Sequence, residues 1–127
     1  MSGMNPEPPA LLYRRYLESG VLAFQRCAGC GSAVFYPRVL CPLCGGNDLT
    51  WETSSGRGVI YATTAVYRRD GDPYNVVLVD LDEGFRMMSR VDGVPAERVE
   101  VGARVMLRID REGESPVPVF VPADEDR

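Results

Sequence analysis

The spacing of apolar residues divides the chain into stretches of different period. In PALLYRRYLESG, residues 9–20, Leu12, Tyr13, Tyr16 and Leu17 recur at intervals of three and four, leaving Arg14, Arg15 and Glu18 on the opposite side. That period predicts a short helix with one apolar stripe. Pro8 and Pro9 suit its first turn, and Gly20 suits the position just past its end. A helix this short is marginal alone, so it is expected to dock on the rest of the chain or on a partner.

From residue 21 the period shortens towards two. VLAFQRC reads as a strand entering a close cysteine pair, and SAVFYPRVL as a return to a second pair. Beyond SSGRG follow five strand-like runs: GVIYATTAVYR (58–68), YNVVLVDL (74–81), FRMMSRV (85–91), ARVMLRID (103–110) and VPVFV (117–121). RDGDP and DEG are turns, and DGVPAERVEVG is a long connection after the third run. Five strands in so short a stretch favour a small closed or partly closed barrel over a two-sheet sandwich. The long connection falls where an OB-fold carries its crossover, with an SH3-like barrel as the alternative. Met87 and Met88 are neighbours on one strand, so only one of them can face the core. The Pro-rich residues 1–8 are expected to stay unstructured until bound, and the acidic ADEDR to be solvated.

Composition changes this picture in three ways. All fourteen basic residues are Arg, and there is neither Lys nor His. The commonest general base and the Schiff-base amine are therefore missing, which argues against an independent enzyme. A formal charge of −4 and a pI near 4.8 argue against non-specific nucleic-acid binding, which needs a cationic surface. No apolar run approaches the length of a membrane helix, and MSGMNPEPPALLYRRYL lacks a signal pattern. A cytoplasmic location is therefore expected, where thiols stay reduced and close cysteine pairs bind metal.

The four cysteines, Cys27, Cys30, Cys41 and Cys44, form the pattern C-x2-C-x10-C-x2-C. Each pair can make a tight turn that aims both sulfurs at one point. A glycine follows each second cysteine (Gly31, Gly45), where the chain needs a left-handed residue. Two such turns build a closed tetrahedral sulfur cage, which suits structural zinc, and iron uses the same ligand set. A redox pair would need one C-x-x-C between a strand and a helix, which two mirrored pairs do not supply. Four thiolates leave no open position for water, so the metal is expected to brace the chain.

Taken in order, GVLAFQRCAGCG, YPR, CPLCGG, LTWETSSGRGVIYATTAVYR, YNVVLVDLDEGFRMMSRV, VEVGARVMLRI and PVFVP resemble one family over residues 11–122. It is the family of zinc-ribbon-plus-OB-fold proteins found beside thiolase-like enzymes and implicated in acyl-CoA binding. The resemblance implies a mainly β chain: a short N-terminal helix, a rubredoxin-like zinc ribbon and a five-stranded OB-fold barrel. Its divisions are tail and helix in 1–20, zinc ribbon in 21–53, barrel in 54–122 and acidic tail in 123–127. It further implies a non-catalytic subunit of a thiolase, aldolase or hydratase complex in lipid metabolism, with Zn2+ as its metal and acyl-CoA as a ligand.

With no Lys present, contacts to CoA phosphates would fall to Arg14, Arg15, Arg26, Arg38 and Arg57, whose forked guanidinium suits phosphate. The simpler reading of each is a solvated arginine. Asp82, Glu83 and Gly84 are read as a hairpin turn rather than as catalytic carboxylates. Trp51 is expected to cover the ribbon–barrel junction. The competing function is single-stranded nucleic-acid binding, with Tyr61, Tyr67 and Phe85 as stacking positions. Barrel packing is the simpler role for those three.

Overall fold

The structure, a computed structural model, describes residues 8–123. The expectations for residues 1–7 and for the acidic end beyond 123 lie outside the described residues. Helix α1 spans Pro9–Glu18. Leu17 is buried, while Leu12, Tyr13 and Tyr16 are half-buried on the same side. Arg14 and Glu18 remain exposed and pair at 3.2 Å. The helix stops as Gly20 and Val21 donate their N–H groups to Leu17 O and Tyr16 O, both at 2.9 Å.

Three antiparallel strands follow, in the order β2-β1-β3: β1 Ala23–Cys27, β2 Ala33–Val34 and β3 Leu49–Thr53. The run SAVFYPRVL therefore yields only two strand residues. Phe35 and Tyr36 leave the sheet to meet Tyr13 of α1, with ring centroids 5.6 and 6.4 Å away. Pro37 then has no N–H to continue a ladder. In exchange β3, which the pattern left unassigned, pairs with the whole of β1.

The remaining strands form a second sheet ordered β6-β5-β4-β7-β8. They are β4 Arg57–Val66, β5 Tyr74–Leu81, β6 Arg86–Ser89, β7 Arg104–Glu112 and β8 Ser115–Pro122. β4 serves two partners, β5 along its length and β7 at its start, with an irregularity between Ile60 and Ala62 where it bends. Gly58 is required there, because a Cβ would sit 2.7 Å from Asp80 O and from Val79 Cγ1. The sheet curls until its ends meet through a parallel bridge between Val91, just past β6, and Phe120 of β8. Phe120 N–H donates to Arg90 O at 3.0 Å and Asp92 N–H to Phe120 O at 2.8 Å. This closure, with the long connection between β6 and β7, is the OB arrangement rather than the SH3-like one. Pro116 and Pro118 fall on alternate positions of β8, in phase with Phe120. They face the seam towards β6, where a missing N–H costs little.

The helix, ribbon and barrel share one core. Leu17, Leu22 and Phe24 join Ile60, Val77, Val79, Leu81, Phe85, Met87, Val91, Val105 and Phe120 in one apolar cluster. Phe85 is the hinge of this contact, its ring 4.7 Å from Phe24 and 4.8 Å from Phe35. Met87 is 2% exposed and Met88 58%, as their neighbouring strand positions require.

Two buried amides complete the frame by the same device. Gln25 Nε2 donates to Arg38 O at 3.0 Å, while Arg38 N–H donates to Gln25 Oε1 at 2.7 Å. Asn75 Nδ2 donates to Val91 O at 2.8 Å, while Val91 N–H donates to Asn75 Oδ1 at 2.7 Å. Each side chain imitates one rung of a strand ladder where no strand is available. Asn75→Leu is therefore expected to leave both main-chain groups of Val91 unpaired inside the barrel. A loss of about 2–4 kcal/mol in urea unfolding is anticipated, with the seam region 89–92 losing amide protection first.

Candidate metal centre

The two C-x-x-C segments fold into matching knuckles. In each, the N–H of the following glycine donates back to the carbonyl of the first cysteine: Gly31 to Cys27 O at 2.7 Å and Gly45 to Cys41 O at 2.8 Å. Both glycines have positive φ, 80° and 77°, which an L side chain adopts only under strain. The entry bonds match as well, with Cys27 N–H to Ser32 O at 2.9 Å and Cys41 N–H to Gly46 O at 2.8 Å. Each knuckle buries its first cysteine and exposes its second.

All four sulfurs lie within 4.8 Å of one another. Two close contacts cross between the knuckles: Cys27 to Cys44 at 3.5 Å and Cys30 to Cys41 at 3.7 Å. Zinc–thiolate bonds of about 2.3 Å in a tetrahedron would put sulfurs about 3.8 Å apart, so the donor set fits a four-coordinate metal ion. Main-chain N–H groups of Leu43 and Gly46 face the sulfurs of Cys41 and Cys44, each at 3.4 Å. These donors favour thiolate over thiol. The Ser32 hydroxyl, 3.3 Å from Cys30, acts first in lowering that thiol to about 6. Cys44 is drawn down by Gly46 N–H, but its thiol neighbours outweigh this and push it up to about 11. A bound cation would override that uneven sharing of protons, since coordination deprotonates all four ligands.

Apart from the cysteines, the ribbon's own core is small: Val34 is buried beside Cys27 and Cys41, and Leu49 packs against them. One position in the second knuckle is tight: a Cβ on Gly46 would come 3.3 Å from the Cys44 sulfur.

The five arginines singled out from sequence occupy different elements. Arg14 and Arg15 lie on the exposed side of α1, the former engaged by Glu18. Arg38 secures Gln25 through its main chain and borders a cavity of about 370 Å³ with Pro9, Leu12 and Trp51. Arg26 and Arg57 both meet the β5–β6 turn. Arg26 Nη2 donates to Glu83 O at 3.4 Å, and Arg57 O accepts from Asp82 N–H at 2.9 Å.

Glu83, read from sequence as a turn residue only, also clamps the linker between ribbon and barrel. Its carboxylate accepts the Ser54 hydroxyl and the Ser55 N–H, both at 2.7 Å. Trp51 differs from expectation: its ring lies 5.4 Å from Tyr16, so it covers the contact between β3 and α1. Phe85 packs in the core as expected. Tyr61 and Tyr67 do not, being 50% and 68% exposed, and Tyr61 instead carries the Arg86 guanidinium 3.5 Å above its ring. Among the described residues, no helix is long and apolar enough to cross a membrane.

Residues 14–50 match the family described as ChsH2, rubredoxin-like zinc ribbon domain, and residues 51–110 match ChsH2, C-terminal OB-fold domain. The chain belongs to the ChsH2/DUF35 family. A DUF35 domain-containing scaffold protein of Methanothermobacter thermautotrophicus is 30% identical over 76% of this chain and 79% of its own length. A protein of Thermomonospora curvata described as a probable enoyl-CoA hydratase alpha subunit is 34% identical over 80% of this chain. The present ChsH2-family chain spans only 34% of that relative's length. Among solved structures, a chain of the Ltp2-ChsH2(DUF35) aldolase superposes with a TM-score of 0.81 at 29% identity. That match covers 98% of this chain and 100% of that one.

Sequence reasoning missed Glu83 as a clamp because DEG is an ordinary turn signal. Only the serine pair in SSGRG, upstream of the barrel, hinted at a partner for it. Burial raises the Glu83 carboxyl, but the bonds from Ser55 N–H and the Ser54 hydroxyl outweigh burial and leave it below its ordinary 4.5. The ionised form therefore favours the folded chain. This contribution is complete above pH 4.5 and is lost as pH falls through the lower folded value. The stability advantage of wild type over Glu83→Gln should accordingly be constant near neutrality and shrink below pH 4.5 in denaturation curves. An advantage unchanged by acid would show that the carboxylate is not the clamp.

Proposed function

We propose that this protein is a non-catalytic, zinc-braced accessory subunit that docks on a thiolase, aldolase or hydratase acting on acyl-CoA and helps hold the acyl-CoA. The observation that carries this reading is the end-to-end likeness to a chain of the Ltp2-ChsH2(DUF35) aldolase, 98% of this chain and 100% of that one. The relative described as a probable enoyl-CoA hydratase alpha subunit supports the same class of partner.

The chemistry of the chain agrees. Its cysteines converge on one cage, and the sequence offers neither His nor Lys as a base. The metal's role is then to order the ribbon, with Cys27, Cys30, Cys41 and Cys44 as ligands and zinc as the ion that best suits a closed sulfur site in a bracing role. A groove of about 380 Å³ between α1, Tyr36, β6 and β8 exposes Tyr36 and Met88, the kind of aromatic and adaptable surface that interfaces favour. Acyl-CoA phosphates would be met by guanidinium groups, with Arg14, Arg15, Arg26, Arg38 and Arg57 as candidates. The acidic balance disfavours the nucleic-acid alternative.

Co-expression with a thiolase-like enzyme from the same genome should give a complex stable to gel filtration, with zinc present by elemental analysis. Cys41→Ser should lose metal and complex together, whereas Asp82→Ala, an exposed turn residue, should keep both. Two proteins that elute separately and leave each other's activity unchanged would overturn the reading. Titration of CoA into the complex and into each arginine variant would then locate the phosphate contacts, with at least a several-fold loss of affinity expected at a true contact.

A further inference from the structure

Arg26 ties the first knuckle to the barrel. From β1, its Nη1 donates to Gly31 O at 3.2 Å, the carbonyl next to Cys30 in sequence. Its Nη2 reaches Glu52 Oε1 on β3 and Glu83 O in the β5–β6 turn, both at 3.4 Å. Glu83 then holds Ser54 and Ser55 of the linker through its carboxylate. One run of hydrogen bonds thus leads from the cysteine cage through a single guanidinium into a barrel turn. Immediately beyond that turn come Phe85, stacked on Phe35 and packed against Phe24, and then Met87 and Met88, which line the groove beside β8.

We propose that Arg26 is a positioning residue that transmits metal occupancy of the cysteine cage to the β5–β6 turn, so that the metal sets the order of the groove wall next to it. The physical reasons are local. Gly31 O is placed by a knuckle whose core is two cysteines, Val34 and Leu49. A ribbon with so little apolar surface relies on its metal for order. When the metal leaves, the knuckle opens and Gly31 O withdraws from Nη1. The guanidinium is rigid and planar, so losing one acceptor re-aims the whole fork, and the Nη2 bonds to Glu52 and Glu83 change with it. A lysine could swing to keep one bond. An arginine holds three as a set. The inference depends on metal in the cage and not on the identity of any partner.

Amide exchange on the isolated chain tests it, comparing zinc-loaded and chelator-treated protein with elemental analysis of each. In wild type, chelation should expose residues 27–46 and speed exchange in 82–88 by about threefold or more, while β7 at 104–112 keeps its protection. Arg26→Met retains the aliphatic stem. With zinc still bound, it should already exchange fast at 82–88, and chelation should add nothing there. Arg14→Met, from an exposed helix pair, should behave as wild type. Unchanged exchange at 82–88 after metal loss, or a chelation effect that persists in Arg26→Met, would overturn the inference. Opening that spreads to 104–112 would do so as well, because it signals global unfolding. Should Arg26→Met fail to fold, Arg26→Lys replaces it under the same criteria.

Discussion

A stretch of chain whose inner surface consists of Cys27, Cys41, Val34 and Leu49 cannot hold a fixed shape through apolar burial alone. What orders it is the convergence of four sulfurs, all within 4.8 Å of one another, around a point where a cation can take their charge. The surrounding details serve that convergence: the left-handed glycines that turn the knuckles, the N–H groups that face the sulfurs, and Gly46, where a Cβ would come 3.3 Å from the Cys44 sulfur. β1 ends on the first cysteine of the cage, and its Phe24, with Leu22 just before the strand, joins the barrel core.

Because Leu22 and Phe24 join the barrel's apolar cluster, the ribbon does not hang from the barrel as a separate module. Phe24, Phe35 and Phe85 pack across the junction, one from β1, one from the loop after β2 and one from the β5–β6 hairpin. Polar groups reinforce the same seam, with Glu83 on the linker and Arg26 on the turn. The barrel's own closure is similarly mixed. Apolar Val91 and Phe120 meet in parallel, Asn75 pairs with the Val91 main chain, and Ser89 donates to Pro118 O at 2.8 Å. Outside the seam, Arg90 and Arg108 share Asp92 and Asp110, with Glu112 on Arg90. These pairs are largely solvated, so they order the surface more than they stabilise the fold.

This arrangement gives a metal site a structural reach longer than its own loop. A cation bound by four thiolates has no open coordination position for chemistry. Its effect travels instead through geometry, by fixing the knuckle, the strand that enters it and the turn that the strand's arginine holds.

Much of this was legible in the linear pattern. Period-three and period-four spacing marked α1, alternation marked β4 to β8, and two mirrored C-x-x-C-G segments announced the cage, because these signals arise from local geometry that one element carries by itself. Other features depend on what lies across from a residue. β3 went unassigned because LTWET has weak alternation and becomes a strand only by pairing with β1. Tyr61 and Tyr67 read as packing residues yet face solvent, Tyr61 at the irregularity in β4 and Tyr67 just past its end. Gln25, Asn75 and Glu83 are ordinary polar letters until the fold sets an unpaired main-chain group opposite them. Sequence alone therefore determined most of the elements and the four cysteines that could meet. Tertiary structure alone decided the partners, because a hydrogen bond between distant residues is written in neither of them separately.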